Sequence, residues 1–121
     1  MNINKFNKQE LENLLLHDAE VTQILCDYDQ HKIILPIKKN ISQDINAEIV
    51  FENVIYFDMS FYEPWGPGIY ISEVRLNENI DILERLKECN SISKDYFQIV
   101  ILLNSGDKIN IIASNVVYSE K

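Results

Sequence analysis

Phe61-Tyr62-Glu63-Pro64-Trp65-Gly66-Pro67-Gly68-Ile69-Tyr70-Ile71-Ser72-Glu73-Val74-Arg75-Leu76 holds the only Trp of the chain, and two of its three prolines and two of its three glycines fall between positions 64 and 68. Pro fixes one backbone dihedral and lacks a donor, while Gly admits conformations closed to other residues, so Pro64 to Gly68 cannot lie inside a helix or a central strand. It is a turn or loop. Runs rich in β-branched and aromatic residues precede it (Val54 to Phe57) and follow it (Ile69 to Leu76), so it joins two strands and spreads Phe61, Tyr62 and Trp65 over an open end of the core.

Working towards the N-terminus, Ala47, Ile49 and Phe51 alternate with Glu48, Val50 and Glu52, the period of a half-buried strand. Phe51 and Val54 cannot share a face without an extra residue, which predicts a bulge or bend at Glu52-Asn53. Lys39 to Asn46 is polar apart from Ile41 and Ile45 and reads as a loop. Before it, Ile24, Cys26 and Tyr28, then Ile33, Leu35 and Ile37, alternate with their neighbours as two strands, and Asp29-Gln30-His31 closes them into a hairpin. Pro36 places the second strand near an edge or an irregularity. Asn7 to Glu10 has the spacing of a capping box, with Phe6 and Leu11 as a hydrophobic staple, and opens a short helix whose apolar stripe is Leu11, Leu14 and Leu15.

Towards the C-terminus, Asn77-Glu78-Asn79 opens a second helix, carried by Ile80, Leu83, Leu86 and Cys89 and stopped at Asn90-Ser91. Tyr96 to Leu103 is apolar on both alternating faces, as in a central strand covered on each side. Asn104 to Asp107 is the clearest turn, and Lys108 to Tyr118 supplies the last strand. Asn46 to Tyr56 and Lys108 to Tyr118 echo each other, each with an apolar alternation followed by Asn-Val-(Ile or Val)-Tyr. Either they are equivalent bent strands in a sheet that curls, or two β-rich segments match by chance. The expected fold is α+β over residues 1–121 as a single domain: a curved, mainly antiparallel sheet of about six strands, open-barrel or sandwich-like, with two short helices.

Composition narrows the function. With 121 residues, 19 acidic against 11 basic side chains and a net charge of -8, the chain lacks the basic footprint of a nucleic-acid binder and repels anionic membranes. No secretory signal or apolar span opens it, so a soluble, cytoplasmic protein is expected. Cys26 and Cys89 match no zinc or redox spacing and are expected to be inert core thiols. His17 beside Asp18 and Glu20 lacks the further ligands of a metal centre. The serines have no nucleophile-elbow context, and three glycines cannot build a phosphate loop. No cofactor and no enzyme activity are expected. A residual hydrolase reading needs a deep cleft joining Glu63 or Glu73 to His17, and Glu73 with Arg75 is more simply an ion pair on one strand face.

The aromatic loop remains. Trp65 either plugs the end of the core or, with Phe61, Tyr62 and Tyr70, anchors a partner, and Asp58, Glu63 and Glu73 would form an acidic rim suited to a basic protein. A small-molecule or carbohydrate site under the loop is the alternative, and so is a homo-oligomer joined along an open strand edge containing Ile109 and Ile111.

Leu15-Leu16-His17-Asp18-Ala19-Glu20-Val21-Thr22-Gln23-Ile24, Phe51-Glu52-Asn53-Val54 and Pro64 to Tyr70 together resemble small uncharacterised proteins of Gram-positive bacteria, some of which resemble immunity proteins of polymorphic toxin systems. The resemblance covers about half the chain. It implies a cytoplasmic, non-enzymatic, acidic protein that neutralises a cognate toxin by binding it.

Overall fold

The computed structural model describes residues 1–40, 44–77, 80–90 and 95–121. In order, the elements are β1 (Asn2–Asn4), α1 (Glu10–Asn13), β2 (Glu20–Val21), β3 (Leu25–Asp27), β4 (Lys32–Asn40), β5 (Asp44–Glu52), β6 (Tyr56–Met59), β7 (Ile71–Leu76), α2 (Ile80–Asn90), β8 (Phe97–Leu103), β9 (Lys108–Ala113) and β10 (Asn115–Glu120). The fold is α+β, with two short helices and two antiparallel sheets. One sheet has the order β1-β10-β5-β4-β2, with β3 also on β4, and the other has the order β6-β9-β8-β7.

Two bent strands make the two sheets one curved wall. The chain leaves β5 at Asn53, whose φ of 55° is left-handed, and re-enters sheet structure as β6. It breaks again at Ser114, so that the expected last strand is two, β9 and β10. The two corners lie against each other: β5 pairs with β10 and β6 with β9. Asn115 Nδ2 donates to Glu52 Oε1 (2.6 Å) and Asn53 Nδ2 donates to Ser114 Oγ (2.8 Å). In the sequence echo Glu52 aligns with Ser114 and Asn53 with Asn115, so these bonds are counterparts under a local two-fold relation. The echoing segments thus occupy equivalent positions, and β4-β5-β6 corresponds to β8-β9-β10.

The core lies inside this wall. Ile33, Leu35 and Ile37 of β4, Ala47, Ile49 and Phe51 of β5, and Phe97, Ile99, Ile101 and Leu103 of β8 point into it and are buried, at about 1.5–3 kcal/mol for each large side chain. β8 is buried along its whole length because α2 packs on its outer side. A register shift between Ile71 and Glu73 lets Ile71, Val74 and Leu76 all reach the core. Pro36 sits where the outer neighbour of β4 changes, between the pairings Ile37 with Val21 and Ile34 with Leu25.

Several expectations need correction. Lys39, Asn40, Ile45 and Asn46 belong to strands, since β4 and β5 pair out to Asn40 and Asp44; Ile41 lies outside the described residues. Backbone pairing carries the hairpin where the side-chain pattern fades, and Lys39 is buried, donating to the Leu14 carbonyl (2.7 Å) with its Nζ 4.7 Å from the Tyr118 ring centroid. The capping box does not form: Asn7 Oδ1 accepts instead from the Asn4 backbone (2.6 Å). The staple fails too, for Phe6 is exposed, and left-handed Leu15 turns outward while Leu16 takes the buried place. Cys26 is a free, exposed thiol. The edge imagined at Ile109 and Ile111 does not exist, because β9 is paired on both sides and both residues are fully buried. For α2, residues 78–79 and 91–94 and the side chains of Ile80, Leu83, Cys89 and Asn90 lie outside the described residues.

Candidate functional site

The loop expected at Pro64 to Gly68 does lie between β6 and β7, in a longer connection that starts at Ser60, and the tip of the β8–β9 hairpin holds it. Asp107, itself buried, accepts from Ser60 Oγ (2.6 Å), the Tyr62 backbone N–H (3.2 Å), the Glu63 backbone N–H (3.1 Å) and Ser105 Oγ (3.0 Å). The Ser60 hydroxyl above all, then that of Ser105 and the two backbone donors, hold its carboxyl below the usual range, against burial, which pushes it up.

Three further contacts fix the loop. The Trp65 backbone N–H donates to the Ser105 carbonyl (2.8 Å), the Tyr70 backbone N–H to Asn104 Oδ1 (3.2 Å), and the Asn104 backbone N–H to the Tyr70 carbonyl (2.8 Å). Gly106 is required beneath it: its φ is 91°, and a Cβ there would stand 2.7 Å from Pro64 Cγ and 2.9 Å from Trp65 Cδ2. A turn that bonds the Gly66 N–H to the Glu63 carbonyl (2.9 Å) completes the loop, with Glu63 left-handed at φ 50°.

The consequence is a rigid base under exposed rings. Trp65 is 69% exposed, Phe61 81% and Tyr62 75%, and Tyr70, just after the loop, is partly exposed. The reading of Trp65 as a core plug is therefore wrong. Pro64 and one edge of the indole instead lie over Gly106.

The expected acidic rim is assembled only in part. Glu63 is on the loop and lines, with Phe61 and Ile69, a cavity of about 430 Å³ whose floor includes Met59 and Leu103. Asp58 is on β6, where its Oδ2 accepts from the Tyr56 hydroxyl (2.6 Å) and from Asn110 Nδ2 (3.3 Å); that bond raises the Tyr56 pKa. Glu73 is on β7, at the opposite end of the same sheet, about 14 Å away by strand spacing. There it pairs with Arg75 (3.1 Å), whose hydrogen bond holds its carboxyl below the usual range. Glu73 thus serves its strand and does not join the rim.

His17 is not near this chemistry. Its Nδ1 is 2.8 Å from the Ser72 carbonyl, and the cavity that Glu63 lines includes neither His17 nor Glu73. Among the described residues no group of three or more His, Cys, Asp or Glu is placed to hold a metal ion. No described helix is long and apolar enough to cross a membrane. No protein-family model matches the chain, and no curated protein is significantly similar to it.

Sequence reasoning missed the clamp. Asn104 to Asp107 has the composition of a turn, and composition signals nothing more. The donors that make Asp107 a hub come from Ser60 to Glu63, more than forty positions away, and no local spacing announces them.

Proposed function

We propose that this chain is a non-enzymatic, stoichiometric protein-binding module whose anchors are Phe61, Tyr62 and Trp65, and that it acts by covering a surface of its partner. The observation that carries this reading is the exposure of three large aromatic rings on a loop fixed by the Asp107 clamp. Tyr and Trp bury much area at low entropic cost, and a loop already ordered before binding loses little more on docking.

Charge supports a basic partner. The chain carries a net charge of -8, and Glu63, beside the rings, has no ion pair to a described base. The resemblance to immunity proteins supports a toxin as that partner, held 1:1 with no bond made or broken. Retention of a basic protein on immobilised wild-type chain, with its loss on a folded Trp65→Ala chain, is the expected result. Equal retention by both removes the anchor assignment.

The cavity of about 430 Å³ under Phe61 favours a second reading, a site for a small apolar molecule, since its size is that of known ligand pockets. In that case a Phe61→Ala chain changes ligand affinity while Trp65→Ala does not.

A further inference from the structure

The wall of the barrel has an open seam beside the aromatic loop. On the far side, β2 and β7 are stitched together by the Val21 N–H to the Ile69 carbonyl (2.7 Å), the Ile71 N–H to the Ala19 carbonyl (2.9 Å) and the Asp18 N–H to the Ile71 carbonyl (2.8 Å). Between β3 and β6 no strand pairing occurs among the described residues: β3 pairs only with β4, and β6 only with β9. Two cavities of about 430 Å³ each lie along this gap as a trough and adjoin at Cys26 and Phe57, which line both; Leu86 of α2 also lines the second.

Cys26 reports on the gap directly. It pairs across the strands with Ile33, and cross-strand partners share a face. Ile33 is buried in the core, yet Cys26 is exposed. The inward face of the wall is therefore open to solvent at this point.

Among the described residues no strand pairs with the outer edge of β6. An edge strand points alternate N–H and C=O groups away from its one neighbour, and an extended chain laid on it pairs them.

We propose that the outer edge of β6 is a strand-accepting site, which takes an extended segment of a partner protein with alternating apolar and basic residues. This rests on the protein-binding reading and names the chemistry of the partner's segment. Side chains facing inward meet Ile24, Phe57, Met59 and Leu103. Those facing outward meet Asp27, Asp29 and Asp58, none of which has an ion pair to a described base, whereas Lys32 is engaged by Glu52 (3.8 Å). An acyl chain or other apolar molecule would fill the trough but cover backbone groups without pairing them, which a strand does not.

The test uses the intact chain and the peptide acetyl-Lys-Val-Lys-Ile-Lys-Val-Lys-amide. The expected result is saturable binding, with amide shifts centred on Tyr56 to Met59 and Leu25 to Asp27. Methylation of alternate backbone nitrogens is expected to weaken it at least ten-fold, from the loss of about two hydrogen bonds. Replacing every Lys with Glu abolishes it. A bulky maleimide on Cys26 blocks binding, and the same reagent has no effect on a Cys26→Ser chain. Equal affinity for methylated and unmethylated peptides, equal affinity for the Lys and Glu versions, or shifts away from the seam would each overturn the proposal. So would a concentration-dependent dimer through β6, which assigns the edge to a second copy. If the peptide fails while Trp65-dependent capture of a partner persists, the strand site falls and the aromatic anchor stands.

Discussion

Replacing Gly106 with Ala tests whether the aromatic loop is seated as described. Three contributions set the size of the effect. A side chain at φ 91° strains the backbone by about 1–3 kcal/mol. The new Cβ also meets Pro64 Cγ at 2.7 Å and the Trp65 ring at 2.9 Å. Neither is the free end of a flexible chain, and the Trp65 N–H is tied to Ser105, so relief costs a further ~1–3 kcal/mol. Against these, losing a glycine stiffens the unfolded chain and returns about 0.4–1 kcal/mol. The net loss is about 2–4 kcal/mol, which for a domain of this length lowers Tm by roughly 8–15 °C.

Gly66 supplies the control. Its φ is 99° but a Cβ there meets nothing within 4 Å, so Gly66→Ala carries the strain alone and costs about 1 kcal/mol. Thermal unfolding followed by far-ultraviolet circular dichroism measures both. The difference between the two substitutions isolates the packing of Pro64 and Trp65 on the hairpin. Equal losses, or a larger loss at Gly66, would refute that packing.

Other outcomes follow from the same contacts. Because hydrogen bonds hold the Asp107 carboxyl below its unfolded value, its contribution is fully present at neutral pH and drains away as pH falls below about 4 and through the folded value; Tm measured from pH 7 to 3 should therefore fall less steeply in Asp107→Asn, from a lower starting point. Lys39→Met removes the ammonium that donates to the Leu14 carbonyl and should cost about 1–3 kcal/mol in urea unfolding. Phe51→Ala, at a fully buried position beside the bend, should cost about 3–5 kcal/mol by the same assay. Asn53→Val places a β-branched residue at a left-handed φ of 55° and removes the bond to Ser114, so it should destabilise by about 1–3 kcal/mol, while Asn53→Gly should cost less.

The parts of this architecture that were legible in the chain are those fixed by local physics. Pro64 to Gly68 could only be a loop. The phase break between Phe51 and Val54 called for a bulge or a bend, and Asn53 supplies the bend with a left-handed backbone. The run from Phe97 to Leu103 could only be covered on both faces. Competing contacts hid the rest. Asn7 has the spacing of a cap, but a nearer donor on Asn4 claims its side chain. Lys39 and Asn46 look like loop residues because pairing with the neighbouring strand, and no apolar alternation of their own, keeps them extended. For the site, the aromatic loop could be placed from its composition, whereas the exposure of Trp65 could not. That depends on Gly106 and Asp107, which reach it only once the two hairpins have met. The three acids Asp58, Glu63 and Glu73 look adjacent along the chain, but β6 and β7 stand at opposite ends of their sheet.

Photocrosslinking at position 65 tests most directly whether the aromatic loop grips another protein. A chain carrying Trp65→p-benzoylphenylalanine is compared with one carrying Phe6→p-benzoylphenylalanine, a position still more exposed but outside the loop. The account predicts one predominant 1:1 adduct with a basic protein from position 65, competed away by unlabelled wild-type chain, and none from position 6. No adduct at 65, or the same adducts from both positions, would contradict it.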